Sequence, residues 1–240
     1  MNTQLLFSGQ ASWTKPAGAT LVVALSSSSC VGQLSADLLI QTLELVPCGA
    51  FASVHVLPCC GNDAVGLQPH GELALALQLF ASADRRLFVM QMRAPVIAGA
   101  QRAFSAQLAA WAASAGFARV LLLAGLDARQ AADSQVGAAT LRVAGDVDVA
   151  AGVAKLEGNT WAGVPFAESR VPPWPQLAAL NAAGVVSGAL LLFCSDGDNS
   201  AASKTLATAA AASLYLQPVN WVAPAAWATT FGEQLDTDMF

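Results

Sequence analysis

The sequence predicts a layered α/β/α domain with a mostly parallel, mixed sheet, and three observations carry that expectation. Short apolar runs alternate with segments of helical period along the 240 residues. One stretch, from "LFVMQMR" through "GAQRAFSAQLAAWAASAG" to "FARVLLLAG", reads as strand, helix, strand, the sequence sign of parallel pairing. A hairpin pattern around "ASADRR" adds an antiparallel pair and so makes the sheet mixed. A chain of this length buries a sizeable core, and one domain over residues 1–240 is the starting expectation.

The elements follow in order. Residues 20–26, "TLVVALS", are short, β-branched and apolar, bounded by Ala-Gly and by serines, as a buried strand is. Val31, Leu34, Leu38 and residues 40–45 then keep helical spacing, and "PCG" at 47–49 is expected to stop that helix. "AFASVHVL", 50–57, reads as a strand. Residues 72–93 read as a hairpin, although the alanines and leucines of its first arm suit a short helix equally.

Residues 99–116 form the clearest helical pattern, with Phe104, Leu108, Trp111 and Ala115 on one face and Gly116 as its stop. "FARVLLLAG", 117–125, is the next strand. The pattern weakens over 126–175, which reads as an excursion with a few short strands, and "RVPPWPQ" must be extended or turning. "GALLLFCS", 188–195, is a buried strand and "AASKTLATAAAASLYL", 201–216, a helix. In the tail, 217–240, Trp221 and Trp227 are expected to clamp the chain onto the domain and the last residues to be free.

Composition narrows the function. Apolar residues make up 55% of the chain and charged residues 11%, against about a quarter in an average domain. Contiguous apolar patches are then hard to avoid; they mark partner contact, or they follow from an alanine-rich proteome. The net charge of −5, with 11 basic residues nowhere concentrated, argues against nucleic acid. The longest apolar run, 183–194, is shorter than the roughly 20 residues that span a bilayer, and "MNTQLLFSGQ" lacks a signal-peptide pattern. No membrane partner is expected, and the expected location is the cytoplasm, with the nucleus as a second compartment.

The cysteines, Cys30, Cys48, Cys59, Cys60 and Cys194, are odd in number and lack CxxC spacing, which argues against a disulfide framework or a zinc site. The adjacent Cys59 and Cys60 fit a vicinal disulfide or redox sensor, or two small buried apolar residues.

The motifs that hint at chemistry each have a structural reading. "SSSSCVGQLSADLLI", 26–40, joins a strand to a helix as phosphate loops do, yet holds one glycine, Gly32, and no lysine, where phosphate cradles need several close backbone N–H groups. "CSDGDNS", 194–200, places Asp196, Asp198 and Asn199 before a helix, where they hold a divalent ion or cap the helix. The G-x-S-x-G elbow is absent, and His55 and His70 are the two histidines available as general bases. Arg93 stands isolated at a strand end. No catalytic, cofactor-binding or metal-ligating residue is assigned.

Several separated segments together resemble the proteasome assembly chaperone 2 family: "SSCVGQLSADLLIQTL" (28–43), "RRLFVMQMRAP" (85–95), "FARVLLLAG" (117–125), "LLLFCSDGDN" (190–199) and "WVAPAAWATTFG" (221–232). Their order and spacing carry the resemblance, which runs from near residue 20 to the end and is poor over 126–175. It implies a phosphorylase/hydrolase-like fold of the kind seen in nucleoside phosphorylases, without enzymatic activity or cofactors. It also implies an obligate heterodimer with proteasome assembly chaperone 1. The pair helps proteasome α subunits form a ring, rests on the ring's outer face, discourages off-pathway α-ring dimers and leaves as the core particle matures.

On that reading Gly32 supplies close packing at the strand-to-helix turn, and the helix after it, including Gln33, belongs to the core or to the heterodimer contact. Some members of the pair end in a hydrophobic residue, a tyrosine and one further residue that enter a pocket between α subunits. Here Asp238, Met239 and Phe240 stand in their place. Met239 and Phe240 then offer apolar contact, and the carboxylate of Phe240 offers a partner for a cation. The alternatives are a nucleoside phosphorylase or hydrolase on a similar fold, and a small-molecule-binding domain with its ligand at Asp196 to Asn199.

Overall fold

A computed structural model describes residues 5–9, 18–62, 73–131, 141–146, 153–156, 160–161, 163–216 and 220–227. The strands are β1 (Leu6–Gly9), β2 (Thr20–Ala24), β3 (Val46–Ala52), β4 (Cys60–Gly61), β5 (Ala74–Leu75), β6 (Leu77–Ala81), β7 (Leu87–Met92), β8 (Arg119–Asp127), β9 (Leu141–Gly145), β10 (Ala154–Lys155), β11 (Thr160–Trp161), β12 (Val164–Pro165) and β13 (Val186–Cys194). The helices are α1 (Val31–Thr42), α2 (Gln101–Ala115), α3 (Trp174–Ala182) and α4 (Ser200–Ser213).

Among the described residues nine strands form one mixed sheet in the order β1-β3-β6-β7-β2-β8-β13-β9-β10. Its centre, β7, β2, β8 and β13, is parallel. One flank, β6, β3 and β1, is antiparallel. The parallel strands are mostly apolar because both of their faces are covered, with Gln91 of β7 and Ser187 of β13 as buried polar exceptions. Leu21 and Val23 of β2 point to one core with Met90, Val120 and Leu122, where α2 and α3 contribute Phe104, Leu108 and Leu180. Val22 and Ala24 point to the other with Leu121 and Leu123, where α1 and α4 contribute Leu39, Ile40 and Leu206. The result is the expected α/β/α layering.

α2 forms where its spacing predicts, burying Phe104, Leu108, Ala112 and Ala115. Gly116 ends it at φ 85, a left-handed cap whose N–H donates to the carbonyls of Ala112 and Ala113. α1 and α4 meet through small residues, the Ser35 hydroxyl donating to the Ser203 carbonyl at 3.0 Å. The first hairpin arm is a strand, because tertiary pairing with β3 and β7 overrides the helix propensity of alanine and leucine.

The structure differs from the expected elements at three places. α1 ends at Thr42, and Pro47 to Gly49, expected to stop it, lie inside β3. A register shift between Pro47 and Gly49 accommodates the proline, as bulges do. The predicted strand 50–57 stops at Ala52 and then turns, with Val56 bridging Val96. Within 126–175, β9 and β10 join the main sheet beside β13, and α3, for which the pattern gives no signal, begins at Trp174. Its nine residues are few for a periodicity reading, and prolines crowd its start.

Trp221 clamps the tail: its indole N–H donates to the Thr208 hydroxyl at 2.9 Å while the ring packs on the core beneath α1 and α4. The next residue ties the same segment to α1, the Val222 N–H donating to the Thr42 hydroxyl at 2.9 Å.

Candidate protein-interaction surface

In open α/β sheets, ligands bind at the carboxyl ends of the strands where neighbouring connections diverge. Here that point lies between β2 and β8, since the chain leaves β2 toward β3 and leaves β8 toward β13. Internal pairing closes it. The Gly125 N–H donates to the Ser27 hydroxyl at 2.7 Å, drawing the two strand ends together. Asp127 takes the Arg129 guanidinium in a fork, Nε to Oδ1 at 3.0 Å and Nη2 to Oδ2 at 2.9 Å. That pairing holds the Asp127 carboxyl below its ordinary range and the guanidinium above its own. Two small cavities are found among the described residues here, one of about 190 Å³ against Ser29, Cys194 and Asp196, and one of about 230 Å³ against Gln130 and Pro172. Both fall under the roughly 300 Å³ at which ligand pockets begin.

Gly32 sits at the floor of this junction. A Cβ there would lie 2.6 Å from the Leu123 carbonyl oxygen and 3.2 Å from that of Leu25. The glycine thus lets α1 rest directly on strand backbone, the packing role read from the sequence, and it is buried. Gln33 is half-buried, and its carbonyl accepts from the Gln91 amide at 2.9 Å. At the other loop, the Asp198 carboxylate accepts from the Ser200 N–H at 2.8 Å and the Asn199 amide donates to the Ser195 carbonyl at 3.0 Å, so these side chains order the entry to α4. That bond holds the Asp198 carboxyl low. Among the described residues, no group of three or more His, Cys, Asp or Glu is placed to hold a metal ion.

Arg93, isolated in sequence, is paired in space. Its Nη2 donates to Asp37 Oδ1 at 2.6 Å and its Nη1 to Oδ2 at 3.2 Å, while Gln91 donates to the same carboxylate at 2.8 Å. The Asp37 side chain is only 6% exposed. This network joins α1 to the end of β7. Its signal in the sequence is the lone carboxylate inside an otherwise uncharged helix.

Beside this network lies a corner of different character. Three loops after β3, before β6 and after β7 are stitched by backbone bonds: Ile97 N–H to the His55 carbonyl at 2.8 Å, Leu57 to Pro95 at 3.1 Å and Ala76 to Cys59 at 3.1 Å. The Ser53 hydroxyl donates to Gln107 of α2 at 2.8 Å and fixes the same loops to the helix. Onto this frame Val54, Leu73, Leu6 and Leu57 are set 70%, 60%, 52% and 47% exposed. Cys59 and Cys60 are exposed here too and are not joined in a disulfide, which sets aside the buried reading of the pair. An open groove of about 600 Å³ runs alongside, with Ala103, Ala106 and Ala110 of α2 as its floor and Leu5, His55 and Trp111 at its walls.

Asp238, Met239 and Phe240, like His70, lie outside the described residues. Among the described residues no helix is long and apolar enough to cross a membrane.

The described residues thus form an α/β domain with internally paired strand ends and, beside them, an apolar corner held by backbone bonds. The chain belongs to the PAC2 family, whose model matches residues 21–230. Relatives span its length: proteins named Proteasome assembly chaperone 2 from Danio rerio and Xenopus laevis are 27% and 26% identical, covering 93% and 94% of this chain and 95% and 96% of theirs. Solved structures of two Pyrococcus furiosus proteins share the fold at 15% identity. They are PbaA, described as an archaeal homolog of proteasome-assembly chaperone (TM-score 0.62, covering 89% of this chain and 88% of that one), and PbaB, described as an archaeal proteasome activator (0.64, 90% and 91%).

Proposed function

We propose that this chain is a non-enzymatic chaperone for assembly of the 20S proteasome α-ring, acting as a heterodimer with proteasome assembly chaperone 1 on the ring's outer face, in the cytoplasm and nucleus. The observation that carries this reading is the match, at 27% identity over 93% of the chain and 95% of the relative, to a protein named Proteasome assembly chaperone 2. The structure is consistent with it on physical grounds. A protein that meets two kinds of partner needs apolar surface held in a fixed shape, and the corner beside α2 supplies it. A reaction needs space and unpaired polar groups at one point, whereas at the β2/β8 crevice the Ser27 hydroxyl accepts from the Gly125 N–H and the Asp127 carboxylate is paired with the Arg129 guanidinium.

Affinity purification of the tagged chain from its native cells at low salt, with mass spectrometry of what accompanies it, tests the reading. Recovery of one related chaperone subunit with proteasome α subunits, and depletion of mature β subunits, is the expected result. Recovery of the chain alone overturns it, and measurable nucleoside turnover by the purified protein overturns the non-enzymatic part. Within the same reading, Met239 and Phe240, with Asp238 beside them, contact the α-ring. Deletion of the last two is expected to weaken α-subunit recovery and leave recovery of the chaperone partner intact.

A further inference from the structure

We infer that the adjacent Cys59 and Cys60 form a redox switch: hydrogen peroxide converts the two thiols into a vicinal disulfide, and closing that ring takes β4 out of its pairing with β5.

Residue type and place are the first argument. Free cysteine is among the most buried residue types, and where packing does not hold it, its reactivity decides its use. Cys48 and Cys194 are buried and belong to the two cores. Cys59 and Cys60, neighbours in sequence, are both exposed. A thiol open to solvent is reached by a small oxidant, and a second thiol at the next position captures the oxidised sulfur before it goes further.

Local geometry is the second. Cys60 pairs with Leu75 in the antiparallel ladder of β4 and β5, and the Cys59 carbonyl accepts from the Ala76 N–H at 3.1 Å. Successive side chains of an extended strand point to opposite faces, so the two sulfurs stand apart while the ladder holds. A disulfide needs both on one side. Consecutive Cα atoms are also only about 3.8 Å apart, under the roughly 4.4–6.8 Å of ordinary disulfides, so the closed ring is strained and readily reduced again. The reduced pair is compatible with β4, and the oxidised pair opposes it.

The third is what the ladder is attached to. Ala76, which donates to Cys59, accepts through its carbonyl from the Arg93 N–H at 2.8 Å. The Arg93 guanidinium in turn holds Asp37 of α1 at 2.6 Å. One run of hydrogen bonds therefore joins the exposed thiols to the buried ion pair. Leu73 and Leu75, 60% and 37% exposed, are carried by the β5 segment that oxidation releases. A change at the surface sulfurs thus reaches the apolar corner.

The step balances with hydrogen peroxide as the oxidant. One sulfur, as its thiolate, attacks a peroxide oxygen: an S–O bond forms, the O–O bond breaks and hydroxide leaves. The second thiolate attacks the resulting sulfenic sulfur: the S–S bond forms, the S–O bond breaks and a second hydroxide leaves. The thiol protons convert both hydroxides to water, so the pair gives up two electrons and the peroxide takes them. A dithiol reductant reverses the step by exchange and becomes a disulfide itself.

The test treats the full-length chain with hydrogen peroxide and compares wild type with Cys59→Ser, Cys60→Ser and Cys30→Ser, before and after dithiothreitol. All three positions are exposed, so the variants are expected to fold as wild type does. One readout is the mass of the chymotryptic peptide carrying both cysteines, alkylated without reduction; the other is amide hydrogen exchange at Ala76 by NMR. In wild type and Cys30→Ser the peptide is expected to lose two hydrogens and escape alkylation, while Ala76 exchanges roughly tenfold faster or more, and dithiothreitol restores both. Cys59→Ser and Cys60→Ser are expected to show neither change. Sulfinic acids at the separate cysteines, or disulfides between chains instead of the internal one, would overturn the pairing. An internal disulfide with Ala76 exchange unchanged would show that the ring forms without moving β4, and the switch would be lost.

Discussion

Two regions at the same end of the sheet are built in opposite ways. At the β2/β8 crevice the polar groups answer one another: Ser27 accepts from Gly125, Asp127 from Arg129, and α1 is seated so closely that only a glycine fits at position 32. At the corner after β3 the backbone groups are bonded within the loops, and the side chains left outward are apolar or small. The first region turns Ser27, Asp127 and Arg129 inward, onto the protein's own groups. The second offers contact area with almost no desolvation cost, which is the currency of protein association.

The largest test of that contrast is the link between the regions. Asp37 lies on α1 beside the crevice and holds Arg93 at the foot of the corner loops, with side-chain exposures of 6% and 21%. Asp37→Ala leaves a guanidinium half-enclosed without its carboxylate and is expected to cost about 3 kcal/mol, the low end for breaking a buried pair because Arg93 retains some solvent. Urea unfolding measures it; a loss near zero would mean that crevice and corner are held independently.

Next is Gly32→Ala, expected to cost roughly 1–3 kcal/mol, because the added methyl meets the fixed Leu123 carbonyl rather than a side chain that can turn away. An unchanged unfolding midpoint would show that α1 has room to lift and that the glycine is there for another reason.

A third test separates buried from exposed positions by cysteine chemistry. Cys30, Cys59 and Cys60 are exposed, while Cys48 and Cys194 are buried. Burial pushes the Cys48 thiol up to about 11, against the lowering influence of Arg85 beside it. At pH 8 Cys48 is therefore neutral and unreactive, and it becomes a thiolate only as pH approaches that value. Brief alkylation of the native protein followed by peptide mass spectrometry is expected to label the three exposed positions and spare the two buried ones. Labelling of Cys48 to the same extent would break the distinction.

The smallest effect concerns the crevice pair. The Asp127 carboxyl is lowered first by its side-chain bond from Arg129 and then by the Arg129 N–H. A lowered folded pKa means that the contribution is present above the unfolded value of 3.8 and is lost as pH falls through the lower folded one. Because its partner Arg129 is exposed to solvent, only a slight change in stability accompanies it. Carboxyl chemical shifts followed by NMR are expected to show Asp127 titrating below its ordinary value of 3.8; a midpoint at that value would mean that the fork opens in solution.

Much of the fold was legible. The strands of the parallel centre and the helices 101–115 and 200–213 stand where apolar runs and helical spacing place them, because both signals are local. The stop at Pro47 and the strand after Ala52 were misplaced, since a bulge and a bridge to Val96 depend on what lies across the sheet. α3 carried too few residues for its period to show. The role of Gly32 was legible from its place between strand and helix. The corner was not: Val54 and Leu57 look like the alternating residues of a strand, and Ala103, Ala106 and Ala110 look like any alanines in a helix.

By itself, the sequence determined the alternation of elements, the poverty of charge and the lack of a phosphate loop, all properties of residue type and local spacing. Only the tertiary structure decided that Asp37 meets Arg93 across 56 positions, that β9 and β10 extend the sheet beyond β13, and which apolar side chains stay outside. The physical reason is that burial belongs to pairs of surfaces: whether a valine is core or contact depends on what the rest of the chain has left uncovered beside it.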